Sequence, residues 1–258
     1  LAAVLPLVDP SARLLIGHRG ACAEAPENTL PSFARAAELG VDAFELDVHA
    51  TADGVPVVLH DPTLDRTTDH TGAVASLTLA AVREADAGAR FTRDGGRTFP
   101  WAGRSVGIPT LTEVLALFPA MPVLIEIKAP AAREAVRRAL LESGAAARCV
   151  VASEHHAALA PFHEPPFLRG ASRRDIVRLW LGAKVGLRLA APDCRVYSVP
   201  TRHRGLAVAT DRFLRAARRL GRAVHVWTVD DPALAAALWA RGVNGIITND
   251  PAAMPPRP

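Results

Sequence analysis

Short β-branched runs alternate along the chain with segments whose apolar residues recur at helical spacing. Leu14-Leu15-Ile16-Gly17 predicts a strand, and Thr29 to Leu39 predicts a helix that Gly40 stops. Ala43 to Val48 predicts a second strand, joined across the turn pair Asp53-Gly54 to a hairpin partner at Val55 to Leu59. The alternation resumes with a helix over Thr112 to Phe118, a strand over Val123 to Lys128, a helix over Ala131 to Ser143 and a strand over Cys149 to Ser153. From about Ala145 to Pro200 the repeats are weak. The chain then closes with helices at Asp211 to Leu220 and Pro232 to Arg241, and strands at Ala223 to Val229 and Gly245 to Thr248.

Repeated β-α units with apolar strands imply a parallel sheet covered by helices, and a count near eight favours closure into a (β/α)8 TIM barrel over an open sheet. The stretch from Asp61 to Gly107, rich in Thr, Asp, Gly and Arg, is too long for an ordinary connection. It predicts a small insertion after the second barrel strand, above the barrel mouth. Phe91, Phe99 and Trp101 inside it either touch substrate or, the commoner fate of aromatic rings, pack the insertion onto the barrel. A length of 258 residues suits one such barrel, so residues 1–258 are expected to form a single domain. The Pro-rich end, Pro255 to Pro258, is expected to be a disordered tail.

Composition narrows the function classes. Half the residues are apolar, enough for a large core, and the formal charge of +4 is spread through the chain without a basic tail or stripe, so no nucleic acid partner is expected. Lys128 and Lys184 are the only lysines among 30 basic residues, a bias of composition more than of chemistry. Cys22, Cys149 and Cys194 lie far apart and read as thiols of a reducing compartment. No apolar run approaches the roughly 20 residues of a spanning helix, and no amphipathic membrane-binding stretch stands out. Leu1 to Val8 is apolar but lacks the basic flank and cleavage site of a signal peptide. The expected location is cytoplasmic; the alternative, since the chain starts at leucine, is an exported form whose leader is absent.

The candidate chemistry sits where strands end. His18-Arg19-Gly20 closes the first strand, the end at which barrel enzymes build their sites. Glu45 and Asp47 are two residues apart on the second strand and therefore share a face. Two carboxylates on one face of an apolar strand repel and resist desolvation unless a cation lies between them; the plainer reading points them at solvent or arginines. Glu126 and Lys128 alternate with apolar residues in Leu124-Ile125-Glu126-Ile127-Lys128, which adds a third carboxylate and a cation able to neutralise a phosphate oxygen. Three oxygen ligands suit one hard divalent ion, Mg²⁺ or Ca²⁺ first and Mn²⁺ next. His60 ends the hairpin strand beside them. Cleaving a phosphodiester needs charge neutralisation, a base and an acid, which a metal and two histidines supply.

The ordered set His18-Arg19-Gly20, Pro26-Glu27-Asn28-Thr29, Glu45-Leu46-Asp47-Val48, Val58-Leu59-His60-Asp61-Pro62, Leu64-Asp65-Arg66-Thr67-Thr68, Ile125-Glu126-Ile127-Lys128 and Val226-Trp227-Thr228-Val229 strongly resembles the glycerophosphodiester phosphodiesterase family over essentially the whole chain. The resemblance implies that His18 and His60 are the general acid-base pair, that Glu45, Asp47 and Glu126 bind the metal, and that Arg19 holds phosphate. It also implies that Lys128 is a charged site residue and that Trp227 lines the substrate pocket, while Glu27 and Asn28 organise the first loop. The expected reaction is hydrolysis of a small-molecule glycerophosphodiester to sn-glycerol 3-phosphate and an alcohol. Two rivals are a lysophospholipase D or cyclising phospholipase on the same barrel, and a non-catalytic phosphodiester-binding barrel.

Overall fold

A computed structural model describes residues 5–257. The first half of the apolar opening stretch and the final residue of the expected tail lie outside the described residues. The strands are β1 (Leu14–His18), β2 (Ala43–Ala50), β3 (Pro56–Val58), β4 (Val123–Ile127), β5 (Cys149–Ala152), β6 (Leu168–Arg169), β7 (Val196–Pro200), β8 (Arg202–His203), β9 (Leu206–Ala207), β10 (Ala223–Trp227) and β11 (Gly245–Thr248). Eight of them run parallel in the order β6-β5-β4-β2-β1-β11-β10-β7. A bridge between Gly170 and Val196 joins the two ends, so the sheet is a nearly closed barrel with its seam beside β6. The antiparallel partner of β2 is β3, across the expected hairpin.

The helices α1 (Leu30–Glu38), α2 (Leu79–Val82), α3 (Leu111–Leu117), α4 (Arg133–Glu142), α5 (Arg173–Lys184), α6 (Asp211–Arg219) and α7 (Pro232–Ala240) occupy the connections. Two departures from strict alternation explain the weak middle of the sequence. Between β5 and β6 the helix is replaced by a 3₁₀ segment, His156–Phe162, in which Pro161 lacks the N–H that a continuing α-helix needs. With only two residues, β6 is too short to show a period.

Strand periodicity divides the core in two. Leu15, Phe44, Leu46, Ile125, Val151, Val224 and Ile246 face the helices in the larger apolar cluster. The alternate residues Leu14, Ile16, Ala43, Leu124, Val150, Ala223 and Ile247 fill the barrel itself, and Leu7 joins them from the 3₁₀ turn Pro6–Val8. His18, Glu45, Asp47 and Glu126 occupy the same parity as this inner set, so the pleat that buries the barrel's apolar filling also carries the polar residues to its mouth. The long connection from β3 to α3 wraps its own small cluster of Leu59, Leu64, Val74, Val82, Val106 and Ile108, against which Trp101 packs. Near the other terminus, Arg257 ion-pairs with Asp42 at 3.2 Å and donates to the Gly40 carbonyl, so the described part of the tail is tied down where disorder was expected.

One interior residue breaks the apolar rule. His225 on β10 is fully buried, and neither ring nitrogen has a hydrogen-bond partner among the described residues. Burial pulls its pKa down to about 4, against an opposing effect of the Leu7 backbone. The folded protein therefore holds a neutral ring that the unfolded chain protonates below its ordinary value of 6.5. Stability from this group is complete above that pH and falls as pH drops toward 4, with a slope of at most about 1.4 kcal/mol per pH unit. Urea unfolding from pH 7 to pH 4.5 is expected to show a shallower acid loss in His225→Leu than in the wild type; parallel curves would sink this account.

Candidate active site

The site begins with a turn. After His18 the backbone passes through two left-handed residues, Arg19 at φ 54° and Gly20 at φ 88°. A side chain at Gly20 would be strained at that φ and would also strike Ser32 at its Oγ and backbone. Ser32 Oγ donates to the Arg19 carbonyl at 2.9 Å and Arg19 N donates to the Glu45 carbonyl at 2.9 Å, so the turn is held from α1 and β2 together. Asn28, also left-handed at φ 58°, is buried and donates Nδ2 to Asp47 Oδ2 at 2.9 Å.

Glu45, Asp47 and Glu126 converge, each offering an oxygen within 4.8 Å of the others. Two cations reach the group. Arg19 Nε lies 3.1 Å from Asp47 Oδ2, and Lys128 Nζ lies 3.3 Å from Asp47 Oδ1 and 3.4 Å from Glu126 Oε2. Their effect is uneven. Burial raises the Asp47 pKa, but Lys128, Arg19 and His60 outweigh it and hold the carboxyl below its usual value. Burial, reinforced by Asp47 and Glu126, pushes Glu45 well above the usual range. Glu126 is also raised, chiefly by burial and by Asp47, against the opposing pull of Lys128. Two partnered cations thus leave negative charge uncompensated around Glu45, and a hard divalent ion with oxygen preference fits that deficit. These three residues are the ones that could hold it.

The two histidines carry different supports. His18 Nδ1 is 2.6 Å from Asn249 Oδ1. Asn249 Nδ2 donates to Asp230 Oδ2 at 2.7 Å, which fixes the amide so that its oxygen faces the imidazole; His18 Nδ1 is therefore the protonated nitrogen and Nε2 carries the lone pair. Burial and then Arg19 lower the His18 pKa, with Asn249 opposing, so the ring rests neutral. His60 Nδ1 pairs with Asp61 Oδ1 at 2.6 Å, and its carbonyl accepts from His49 Nε2 at 3.1 Å. Arg66 donates to Asp61 Oδ2 at 2.6 Å and to both oxygens of Glu27, whose Oε1 also pairs with Arg19 at 2.8 Å. The hydrogen bonds from Arg66 bring the Asp61 pKa down to about 2 despite some burial.

His18, Arg19, Glu45, His60, Glu126, Lys128 and Trp227 all line one cavity of about 380 Å³; Asp47 lies just beneath, bonded to Arg19 and Lys128. Phe91, Phe99 and Trp101 do not line it, and Phe99 is exposed. An aromatic ring that does, Trp180 on α5, was not singled out from the sequence, because it follows the two-residue β6 in the weakly patterned middle. Asn249, Asp230 and the structural part of Arg66 were missed too. The Asn249-Asp250 pair directly after a terminal strand was the one available signal for the first.

Against known proteins, the profile of the Glycerophosphoryl diester phosphodiesterase family matches residues 18–253. The chain is 34% identical over 251 residues to a glycerophosphodiester phosphodiesterase of Caldanaerobacter subterraneus subsp. tengcongensis, covering 92% of this chain and 94% of that one. It superimposes on the crystal structure of the glycerophosphoryl diester phosphodiesterase domain of an uncharacterized Mycobacterium tuberculosis protein with a TM-score of 0.84, at 22% identity and 94% and 98% coverage. An Oleispira antarctica phosphodiesterase, solved in complex with the product sn-glycerol-3-phosphate, gives a TM-score of 0.75 at 24% identity, with 93% and 94% coverage.

A cation that settles among Glu45, Asp47 and Glu126 stabilises the folded state by mass action. A divalent ion at about a hundredfold over its Kd is expected to raise Tm by about 5–10 °C. Asp47→Asn should abolish most of that shift in differential scanning calorimetry, and a Tm indifferent to divalent ions in the wild type would show that the carboxylates hold none.

Proposed function

The chain belongs to the glycerophosphoryl diester phosphodiesterase family, and on that premise we propose that it hydrolyses a glycerophosphodiester to sn-glycerol 3-phosphate and an alcohol, with His18 and His60 moving the protons. The observation that carries this reading is the shared cavity: two differently supported imidazoles, two cations and the carboxylates Glu45 and Glu126 open onto one space, with Asp47 converging on them from beneath. Arg19 and Lys128 are the groups positioned to bind the non-bridging phosphate oxygens, since each is charged and reaches the cavity from a fixed ion pair. When bound by Glu45, Asp47 and Glu126, a divalent cation, Mg²⁺ or Ca²⁺ first and Mn²⁺ next, supplies further neutralisation of the phosphate.

The proton steps follow from the supports. His18 rests neutral with its Nε2 lone pair available, which suits it to take a proton of the attacking water as the new oxygen–phosphorus bond forms. His60 keeps Nδ1 on Asp61, a carboxylate held ionised by Arg66, and donates from Nε2 to the departing alkoxide as the other phosphorus–oxygen bond breaks. Asn249 acts only through His18, as a positioning residue: it fixes the tautomer that leaves Nε2 unprotonated.

Purified protein is expected to release glycerol 3-phosphate from glycerophosphocholine with a divalent cation and to stop when the ion is chelated. His18→Ala and His60→Ala are each expected to lower kcat by about 10²–10⁴-fold. Release that persists in either variant, or in the presence of chelator, would remove that group from the mechanism. Asn249→Ala should cost kcat about 10- to 100-fold with KM little changed, and Asn249→Asp, which keeps the acceptor oxygen, should recover part of it; an Asn249→Ala enzyme with wild-type kcat would mean the tautomer is set elsewhere.

A further inference from the structure

The cavity is two-sided. His18, Arg19, Glu45, Glu126 and Lys128 crowd the β1, β2 and β4 side, while Ala152, Ile176, Val177, Trp180, Leu206 and Trp227 supply the apolar surface of the opposite wall, where Glu154, Arg173 and His203 are the charged or titratable groups. From this division we infer that the cavity takes an alcohol bearing an aliphatic chain, so that glycerophosphodiesters of amphiphilic alcohols are the substrates this protein handles best; the inference rests on the hydrolysis proposed above.

The wall is constructed rather than incidental. Helix α5 is fixed at its start by a capping box between Ser172 and Asp175, and Asp175 is in turn held at 2.9 Å by the buried Arg169 of β6. Trp180 Nε1 donates to the Ala207 carbonyl at 2.9 Å, which ties the hairpin β8–β9 to α5. That hairpin turns through Arg204 at φ 47° and Gly205 at φ 81°, the left-handed pair of a type I′ turn, and so presents Leu206 at the opening. Val177 is 47% exposed, Leu206 54% and Trp227 36%, and Leu181, one helical turn beyond Val177, is 52% exposed. Isolated exposed apolar side chains mean little, but Val177, Leu206 and Trp227 gather around one opening that leads to Arg19 and Lys128.

Charge separates a chain from the small cationic alcohols. A quaternary ammonium is recognised by open aromatic faces, yet Lys184 Nζ already sits 3.8 Å from the centroid of the Trp180 ring. Glu154, the carboxylate on this side, faces Arg173 at 4.0 Å. An alkyl chain needs neither group. On the other side of His18 and Arg19 a second hollow is bordered by Glu27, Asp230, Asn249 and Asp250, acceptors that suit a hydroxyl-bearing arm and would be desolvated at a cost by a chain. The glycerol arm belongs there and the chain on the leaving alcohol.

The test compares kcat/KM for glycerol 3-phosphate release from the ethyl, butyl and octyl esters of sn-glycerol 3-phosphate and from glycerophosphocholine, with the metal-loaded full chain. A rise of about two- to fourfold per methylene over the first few carbons is expected, with the octyl ester above the choline ester. Val177→Asp and Leu206→Asp, both at exposed positions and checked for an unchanged Tm, should collapse the octyl-to-ethyl ratio. A flat series, a preference for choline, or variants that lower all esters alike would overturn the inference while glycerol 3-phosphate release leaves the hydrolytic reading standing; no release from any ester would overturn both.

Discussion

Three carboxylates held inside a nearly closed barrel are the constraint on which the rest of this structure turns. Glu45 and Asp47 are buried and Glu126 half-buried, in a region where charge–charge energies are several times those in water. Like charges so placed persist only if cations reach them, and two arrive from defined places: Arg19 from the left-handed turn after β1, Lys128 from the residue after β4. The Asn28 loop, the Gly20 contact with Ser32 and the Arg66–Glu27 bridge all serve to place or brace these partners. The residual deficit around Glu45 is the physical reason the three carboxylates could hold a metal ion.

The barrel tolerates this concentration of charge because its two faces do separate work. Outward-facing residues of the longer barrel strands join the large helix-packed cluster, while the inward set is apolar at the base apart from His225 and carries its carboxylates only at the ends of β2 and β4, beside His18 at the end of β1. The polar set is also lopsided around the barrel. Strands β5, β7 and β10 send Ala152, Pro200 and Trp227 to the same opening, which leaves the carboxylate cluster on one wall and most of the apolar surface on the other. A phosphodiester has the same division, an anion between two alcohols that differ in polarity.

Much of this was legible in the chain. Alternation of two and of three to four residues marks the strands and helices at β1, β2, β4 and α4, though it did not single out α5 or β7. It failed at β6, two residues long, and at the 3₁₀ segment around Pro161, because neither is long enough to bury a face on its own. The expected tail failed for a different reason: Arg257 finds Asp42 only once the 214 residues between them have folded.

The sequence by itself determined the parity of Glu45, Asp47, Glu126 and Lys128, since two-residue spacing on a strand admits one face, and the presence of an imidazole at each of two strand ends. Tertiary structure alone decided which groups support them. Asn249 meets His18 across 231 positions and Arg66 meets Glu27 across 39, contacts set by barrel closure and loop path and not by any local spacing. It alone also decided that Trp180 and Leu206, rather than the aromatics between Asp61 and Gly107, form the wall opposite the carboxylate cluster. Local periodicity tells a side chain which way to face; only closure of the sheet tells it what it faces.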